Sequence, residues 1–237
     1  MVSIAVSGDA KENETITLEA DLTIPHNDNT KDIVLFAHGS GSSRHSPRNR
    51  YVAEYLQKDG LATLLVDLLT AKEEEFDSKA QKTSYSIPGL VLNKFNINLL
   101  AQRLVSITNW ILENPDTQNL LVGYFGASTG TAAAIVAASQ RPSNNDISAI
   151  VSRSGRPDLA GFNSLSKIKA PTLFIVGGND SKRVIGWNNE ALKQLGSGTK
   201  KLTVVPNATH LFEEPGTLEE VARLAGGWFR CFLDKAT

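Results

Sequence analysis

Leu120-Leu121-Val122-Gly123-Tyr124-Phe125-Gly126-Ala127-Ser128-Thr129-Gly130-Thr131-Ala132-Ala133-Ala134 runs from a near-continuous apolar stretch, through five small residues, into an alanine-rich segment. The apolar part suits a buried strand, and residues 129–139 suit a helix. Between them, Gly126-Ala127-Ser128-Thr129-Gly130 has the G-x-S-x-G spacing of a sharp strand-to-helix turn. The two glycines leave room for a strained backbone and for close helix packing. Such a turn lifts Ser128 out of the chain, where its hydroxyl can serve as a nucleophile. The plainer alternative is a glycine-rich turn in which Ser128 caps the helix.

The rest of the chain repeats this alternation. Apolar runs at 33–37, 61–66, 147–151, 172–176 and 202–205 read as strands, and 16–24, which alternates strictly, as a half-exposed one. Helices are predicted over about 49–58, 96–113, 184–195 and 218–233, the second carrying Ile97, Leu100, Leu104, Ile107 and Ile111 at three- and four-residue spacing. Short apolar strands alternating with amphipathic helices imply an α/β fold, a mainly parallel sheet covered on both faces. Residues 70–93 are polar and lack a clear period, with an acidic run at Glu73 to Glu75 and a Pro88-Gly89 turn. They read as an insertion that forms a lid or shapes a pocket.

In sheets of this kind the chemistry collects beyond the carboxyl ends of the strands. The residues found there are 38–41, Asp67, Ser128, 153–156, 177–180 and 207–210. A serine hydroxyl needs a general base, and histidine has the suitable pKa. His26 lies in an early polar turn, and His38 and His45 follow the strand at 33–37. His210 follows the last strand and comes late in the chain, so it is the candidate base. Asp180, just beyond the strand at 172–176, is the candidate acid that orients it; Asp158 is the second choice, since it also reads as a helix cap. An oxyanion hole needs two preorganised donors, for which the Thr129 N–H and the Ser40 N–H are chosen, with Gly41 behind Ser40.

The order Ser128, Asp180, His210 is that of the α/β-hydrolases. Through His38-Gly39-Ser40-Gly41, Gly126 to Gly130, Ile175 to Asp180 and His210, the chain resembles that superfamily over nearly its whole length, and most of all its dienelactone-hydrolase-like branch. The resemblance implies an eight-stranded, mostly parallel sheet with an antiparallel strand near the start, helices on both faces, and hydrolysis of carboxylic esters without a cofactor. It departs in one respect: true dienelactone hydrolases use a cysteine nucleophile, and this position is Ser128. Residues 39–49 with Arg153-Ser154-Gly155-Arg156 are also similar to a subgroup of small hydrolases sometimes fused to phosphoribosyltransferase domains. Thioesters, lactones or small peptides would be cleaved by the same residues, cofactor-free haloperoxidase-like activity would use the same triad, and a catalytically silent binding module is the competing class.

Composition narrows the partners. With 237 residues, 41% hydrophobic and 21% charged, one domain over 1–237 is expected. A formal charge of -1 and a pI near 6.4 lack the basic excess of a nucleic-acid binder. The expected partner is a small-molecule acyl substrate, with no nucleic acid and no membrane, in a monomer or homodimer. Arg44, His45, Arg48 and Arg50 in the 38–50 loop, and Arg153 and Arg156 after the strand at 147–151, flank the candidate site. Arg44, Arg153 and Arg156 are the candidates for holding an anionic group on the acyl substrate; the alternative is that they pair with Asp67, Asp158 or the acidic run. No H-E-x-x-H or paired C-x-x-C is present, and Arg44 stands where a dinucleotide loop needs its third glycine, so neither metal nor nucleotide is expected. The single cysteine, Cys231, is expected on a buried helix face, and Trp110, Trp187 and Trp228 are expected to pack. The start of the chain shows no basic-then-apolar leader, and a cytoplasmic location is expected.

Overall fold

A computed structural model describes residues 1–7, 15–25, 30, 32–82, 91–141 and 146–233. Eight strands lie in one sheet: β1 (Val2–Ser7), β2 (Thr15–Thr23), β3 (Asp32–Ala37), β4 (Ala62–Val66), β5 (Leu121–Ala127), β6 (Ala149–Arg153), β7 (Thr172–Gly177) and β8 (Lys200–Val205). Their spatial order is β1-β2-β4-β3-β5-β6-β7-β8. β2 is antiparallel to both β1 and β4, and every other pairing is parallel. The sheet is therefore the eight-stranded, mostly parallel one expected, with its antiparallel strand near the start.

Burial follows the strand pattern. β3, β4, β6 and β7 are buried at every position, as strands covered on both faces must be, whereas β2 is buried only at Leu18 and Ala20. One apolar cluster joins a sheet face to α3 (Ile97–Glu113) and α4 (Thr129–Ser139). The other joins the opposite face to α1 (Pro47–Lys58) and α7 (Thr217–Leu233). α6 (Lys182–Gln194) follows β7.

Several expectations need correction. β1, absent from the sequence reading, pairs along its whole length with β2, from Val2 against Ala20 to Ser7 against Thr15. The segment read as aperiodic contains a helix, α2 (Ala71–Lys82), and Gly161–Leu165 forms a short α5. The Pro88-Gly89 turn and His26 lie outside the described residues. Cys231 is exposed, because the buried stripe of α7 runs through Val221, Ala222, Ala225, Phe229 and Leu233 and leaves position 231 on the far side. The tryptophans pack as expected: half-buried Trp110 and Trp228 lie against the two apolar clusters, and half-buried Trp187 lies under the Arg156 guanidinium. Among the described residues, no helix is long and apolar enough to cross a membrane.

Candidate active site

Ser128 occupies the junction of β5 and α4 with φ 50° and ψ -122°, a left-handed conformation that side-chain-bearing residues rarely adopt. Its neighbours explain why the strain persists. A Cβ at Gly126 would stand 2.6 Å from Thr131 Cα, and one at Gly130 would overlap the Ala37 carbonyl oxygen, so only glycine lets β5, α4 and β3 meet here. From the next strand, Arg153 accepts the Ser128 N–H at 3.3 Å, and the Arg156 N–H donates to the Ser128 carbonyl at 3.0 Å. The Ser128 side chain makes no capping bond to α4, contrary to the plain-turn alternative.

His210 and Asp180 meet at the same edge of the sheet. His210 Nδ1 lies 2.9 Å from Asp180 Oδ2, with Asp180 almost wholly buried and His210 half-buried. The loops that carry them are laced together: the Asn179 N–H donates to the Ala208 carbonyl at 2.9 Å, and a Cβ at Gly177 would overlap that same carbonyl oxygen. Asp158, the second-choice acid, instead binds the Arg156 guanidinium at 2.8 and 2.9 Å.

Sequence reasoning missed Ser154. It follows β6 with φ 41°, is buried, and donates from Oγ to Asp180 Oδ2 at 2.8 Å, the oxygen that also faces His210. The other oxygen, Oδ1, accepts the Ser181 N–H at 2.7 Å. The carboxylate is thus held from three directions, which fixes its plane.

The 38–41 loop packs directly on the elbow. A Cβ at Gly39 would fall 3.0 Å from Ser128 Cβ and 3.7 Å from Ser128 Oγ. Ser40 departs from expectation: its N–H donates to Thr129 Oγ1 at 2.8 Å, so this donor already has a partner. His38 is structural. Its Nε2 accepts the Leu68 N–H at 3.0 Å and its Nδ1 faces the Gly39 carbonyl at 2.9 Å, tying the loop to the end of β4. Burial pulls its pKa below 6.5 despite the Gly39 bond and the nearby Asp67, so the ring is neutral. A cavity of about 280 Å³ lies beside this loop, bounded by Ser40, Ser42, Leu69, Glu74, Lys94 and Leu100.

The expected anion-binding arginines separate. Arg44 pairs with Asp67 through both its backbone N–H and its guanidinium, and lies 3.8 Å from Asp21. Arg156 is held by Asp158 and stacks 3.9 Å from the centre of the Trp187 ring. Only Arg153, 6% exposed, lacks a carboxylate partner among the described residues. His45 and Arg50 hydrogen-bond each other at 3.2 Å in solvent, and Arg50 reaches Asp21. No group of three His, Cys, Asp or Glu side chains able to hold a metal ion occurs among the described residues.

Comparison with known proteins adds relatives to this geometry. The crystal structure of dienelactone hydrolase from Anabaena variabilis is 53% identical, with 98% of this chain and 97% of that one covered and a TM-score of 0.84. Est1E from Butyrivibrio proteoclasticus shares the fold at 16% identity, with 96% and 97% covered and a TM-score of 0.72. Two Mycobacterium tuberculosis proteins that carry the provisional name phosphoribosyl transferase are 53% identical over 214 residues, which is 90% of this chain and 44% of theirs. The chain thus spans under half the length of the curated relatives it matches. No protein-family model matches.

Proposed function

We propose that this chain, which belongs to the dienelactone-hydrolase-like branch of the α/β-hydrolases, is a serine hydrolase that cleaves small carboxylic esters through an acyl-enzyme. The observation that carries the reading is the His210–Asp180 hydrogen bond of 2.9 Å at the sheet edge where Ser128 stands on its strained elbow. Asp180 holds the Nδ1 proton of His210, which leaves Nε2 to take the proton from Ser128 Oγ as that oxygen attacks the acyl carbon. The C=O π bond opens, and the negative charge moves to the carbonyl oxygen. The Thr129 N–H, the first of α4, receives that charge. The Ser40 N–H joins it by exchanging the Thr129 hydroxyl for the oxyanion. Collapse expels the leaving alkoxide, which takes the proton from His210 Nε2. Water then repeats the sequence on the acyl-serine, giving the acid and restoring Ser128.

The triad acts on the acyl carbonyl and leaves the alcohol portion to the pocket, so a thioester, a lactone or a small peptide is the alternative substrate for the same machinery. The transferase name of the mycobacterial relatives belongs to proteins of which the matched segment is 44%. Of the three candidate arginines, Arg153 is the one that can support a preference for anionic esters, because Asp67 and Asp158 neutralise Arg44 and Arg156.

Turnover of a panel of small neutral and anionic p-nitrophenyl esters tests the reading. The wild type should hydrolyse at least one, and Ser128→Ala should lower kcat by a factor on the order of 1,000 or more. Equal rates in the two proteins would contradict it, and no turnover of any ester, thioester or lactone would favour the silent module.

A further inference from the structure

Arg153 closes β6, and the alternation of that strand decides which face of the sheet it serves. Ser152 points to α4, where its Oγ lies 3.0 Å from Thr131 Oγ1, whereas Ala149 and Val151 belong to the cluster formed with α1 and α7. Arg153 therefore faces the α1 and α7 side, between Ala127 of β5 and Ile175 of β7 in register, at the carboxyl end of the sheet. Its own carbonyl receives the Ser128 N–H. The same side holds the first turn of α1, with Arg48, and the loop carrying His210, whose Phe212 is buried in that cluster at φ 56°. Arg48 spans the two, 3.5 Å from Glu213 Oε1.

Both guanidinium groups are left incomplete. Arg153 Nη1 and Arg48 Nε are buried and have no hydrogen-bond partner among the described residues, and neither does Asn49 Oδ1 in the same turn of α1. Burial, with Arg48 nearby, pulls the pKa of Arg153 down to about 10, which still leaves it charged at neutral pH. A buried cation without an anion is strongly unfavourable, and a second cation beside it adds to the cost. Glu213, two-thirds exposed, is the one carboxylate within 4 Å of the Arg48 guanidinium among the described residues, although Glu214 and Glu219 line the same shallow pocket as Arg48.

We propose that Arg153 and Arg48 form a binding site for a small oxyanion, a phosphate or carboxylate group, set behind the loop that carries His210. Two guanidinium forks offer planar paired donors to the oxygens of such a group. The group belongs either to a free anion, whose binding would brace the His210 loop against α1, or to an ester substrate. The proposal goes beyond the ester reading and does not depend on Ser128 being the nucleophile, since it is tested by binding.

Thermal unfolding is measured with sodium phosphate and with sodium acetate, each against sodium chloride at equal ionic strength, for the wild type, Arg48→Gln, Arg153→Gln and the exposed control Arg223→Gln. At about ten times its Kd, a binding anion should raise the wild-type Tm by about 3 °C. The rise should persist in Arg223→Gln and vanish in Arg48→Gln and Arg153→Gln. Should Arg153→Gln fail to fold, Arg48→Gln, whose side chain is partly exposed, decides. No rise with either anion in the wild type overturns the proposal, as does a rise that survives in Arg48→Gln, which would be a general salt effect. Inhibition of ester turnover separates the two sources: competition with a neutral ester by the same anion places the site in the substrate pocket, and stabilisation without competition makes it a free-anion site. Either result upholds anion binding, and neither depends on the identity of the nucleophile.

Discussion

Ser128 could be read from its neighbours because the steric demand that creates the elbow is local: glycines two residues before and two after leave a signature in five letters. Ser154 left none. It acts on Asp180, 26 residues away, through one hydrogen bond that exists only because β6 and β7 are adjacent. Ser154→Ala removes a donor to a charged carboxylate and should lower kcat about tenfold with KM unchanged, a loss of about 1.4 kcal/mol in transition-state stabilisation. Steady-state kinetics on any ester the protein turns over will measure this. A proportionate rise in KM would mean that Ser154 shapes the pocket rather than positioning Asp180. Arg44 and Arg156 illustrate the opposite difficulty. The residue type was correctly singled out, but only the fold reveals that Asp67 and Asp158 lie within reach of them.

Elements were legible where an apolar period existed. β3 through β8 announce themselves as apolar runs, and α3 by its three- and four-residue spacing. α2 has no such stripe: of its residues 71–81, whose burial is described, only Asp77 is buried, and that carboxylate accepts the Asn93 and Lys94 N–H groups. What starts it is a capping box. The Thr70 N–H donates to Glu73 Oε2 at 2.7 Å while Thr70 Oγ1 accepts the Glu73 N–H at 3.3 Å, a pattern visible in Thr70-Ala71-Lys72-Glu73. Glu73 also pairs with Arg103 of α3, which is 1% exposed. Burial alone would raise the Glu73 pKa, but its bonds to Arg103 and Thr70 outweigh that and hold it below its ordinary 4.5. A carboxylate with a depressed native pKa contributes stability above its unfolded value and loses it as the pH falls through the native one. Urea unfolding should therefore show stability declining below about pH 4.5, with a shallower decline in Glu73→Gln. At the elbow, Gly130→Ala would force α4 away from β3, and a loss of about 2 kcal/mol or more is expected in the same assay. A loss below 0.5 kcal/mol would show that the two elements can separate freely.

At the scale of the whole molecule, the sheet order β4-β3-β5-β6-β7-β8 brings the 38–41 loop, Ser128, Ser154, Asp180 and His210 to one edge. Parallel strands with crossover helices place all their carboxyl ends on the same side, which is why residues spread over 173 positions, from His38 to His210 counted inclusively, meet there. That convergence was inferable from the sequence because every site residue follows an apolar run. The pairing of β1 with β2 was not, since the short alternation at Ile4 and Val6 carries little signal on its own. His38 links this edge to the stability of the whole fold. Its native pKa lies below the unfolded 6.5, so at lower pH the unfolded chain binds a proton that the native one refuses. Stability should fall as the pH drops from about 7 to 5, and His38→Gln should flatten that slope even if it lowers stability throughout.

The most direct measurement of the central claim is intact-mass and peptide analysis after treatment with a fluorophosphonate. The account predicts one phosphonyl adduct per chain, mapped to Ser128, absent in Ser128→Ala and slowed in His210→Ala. A wild-type chain that stays unlabelled while it hydrolyses esters, or an adduct that persists in Ser128→Ala, would contradict it.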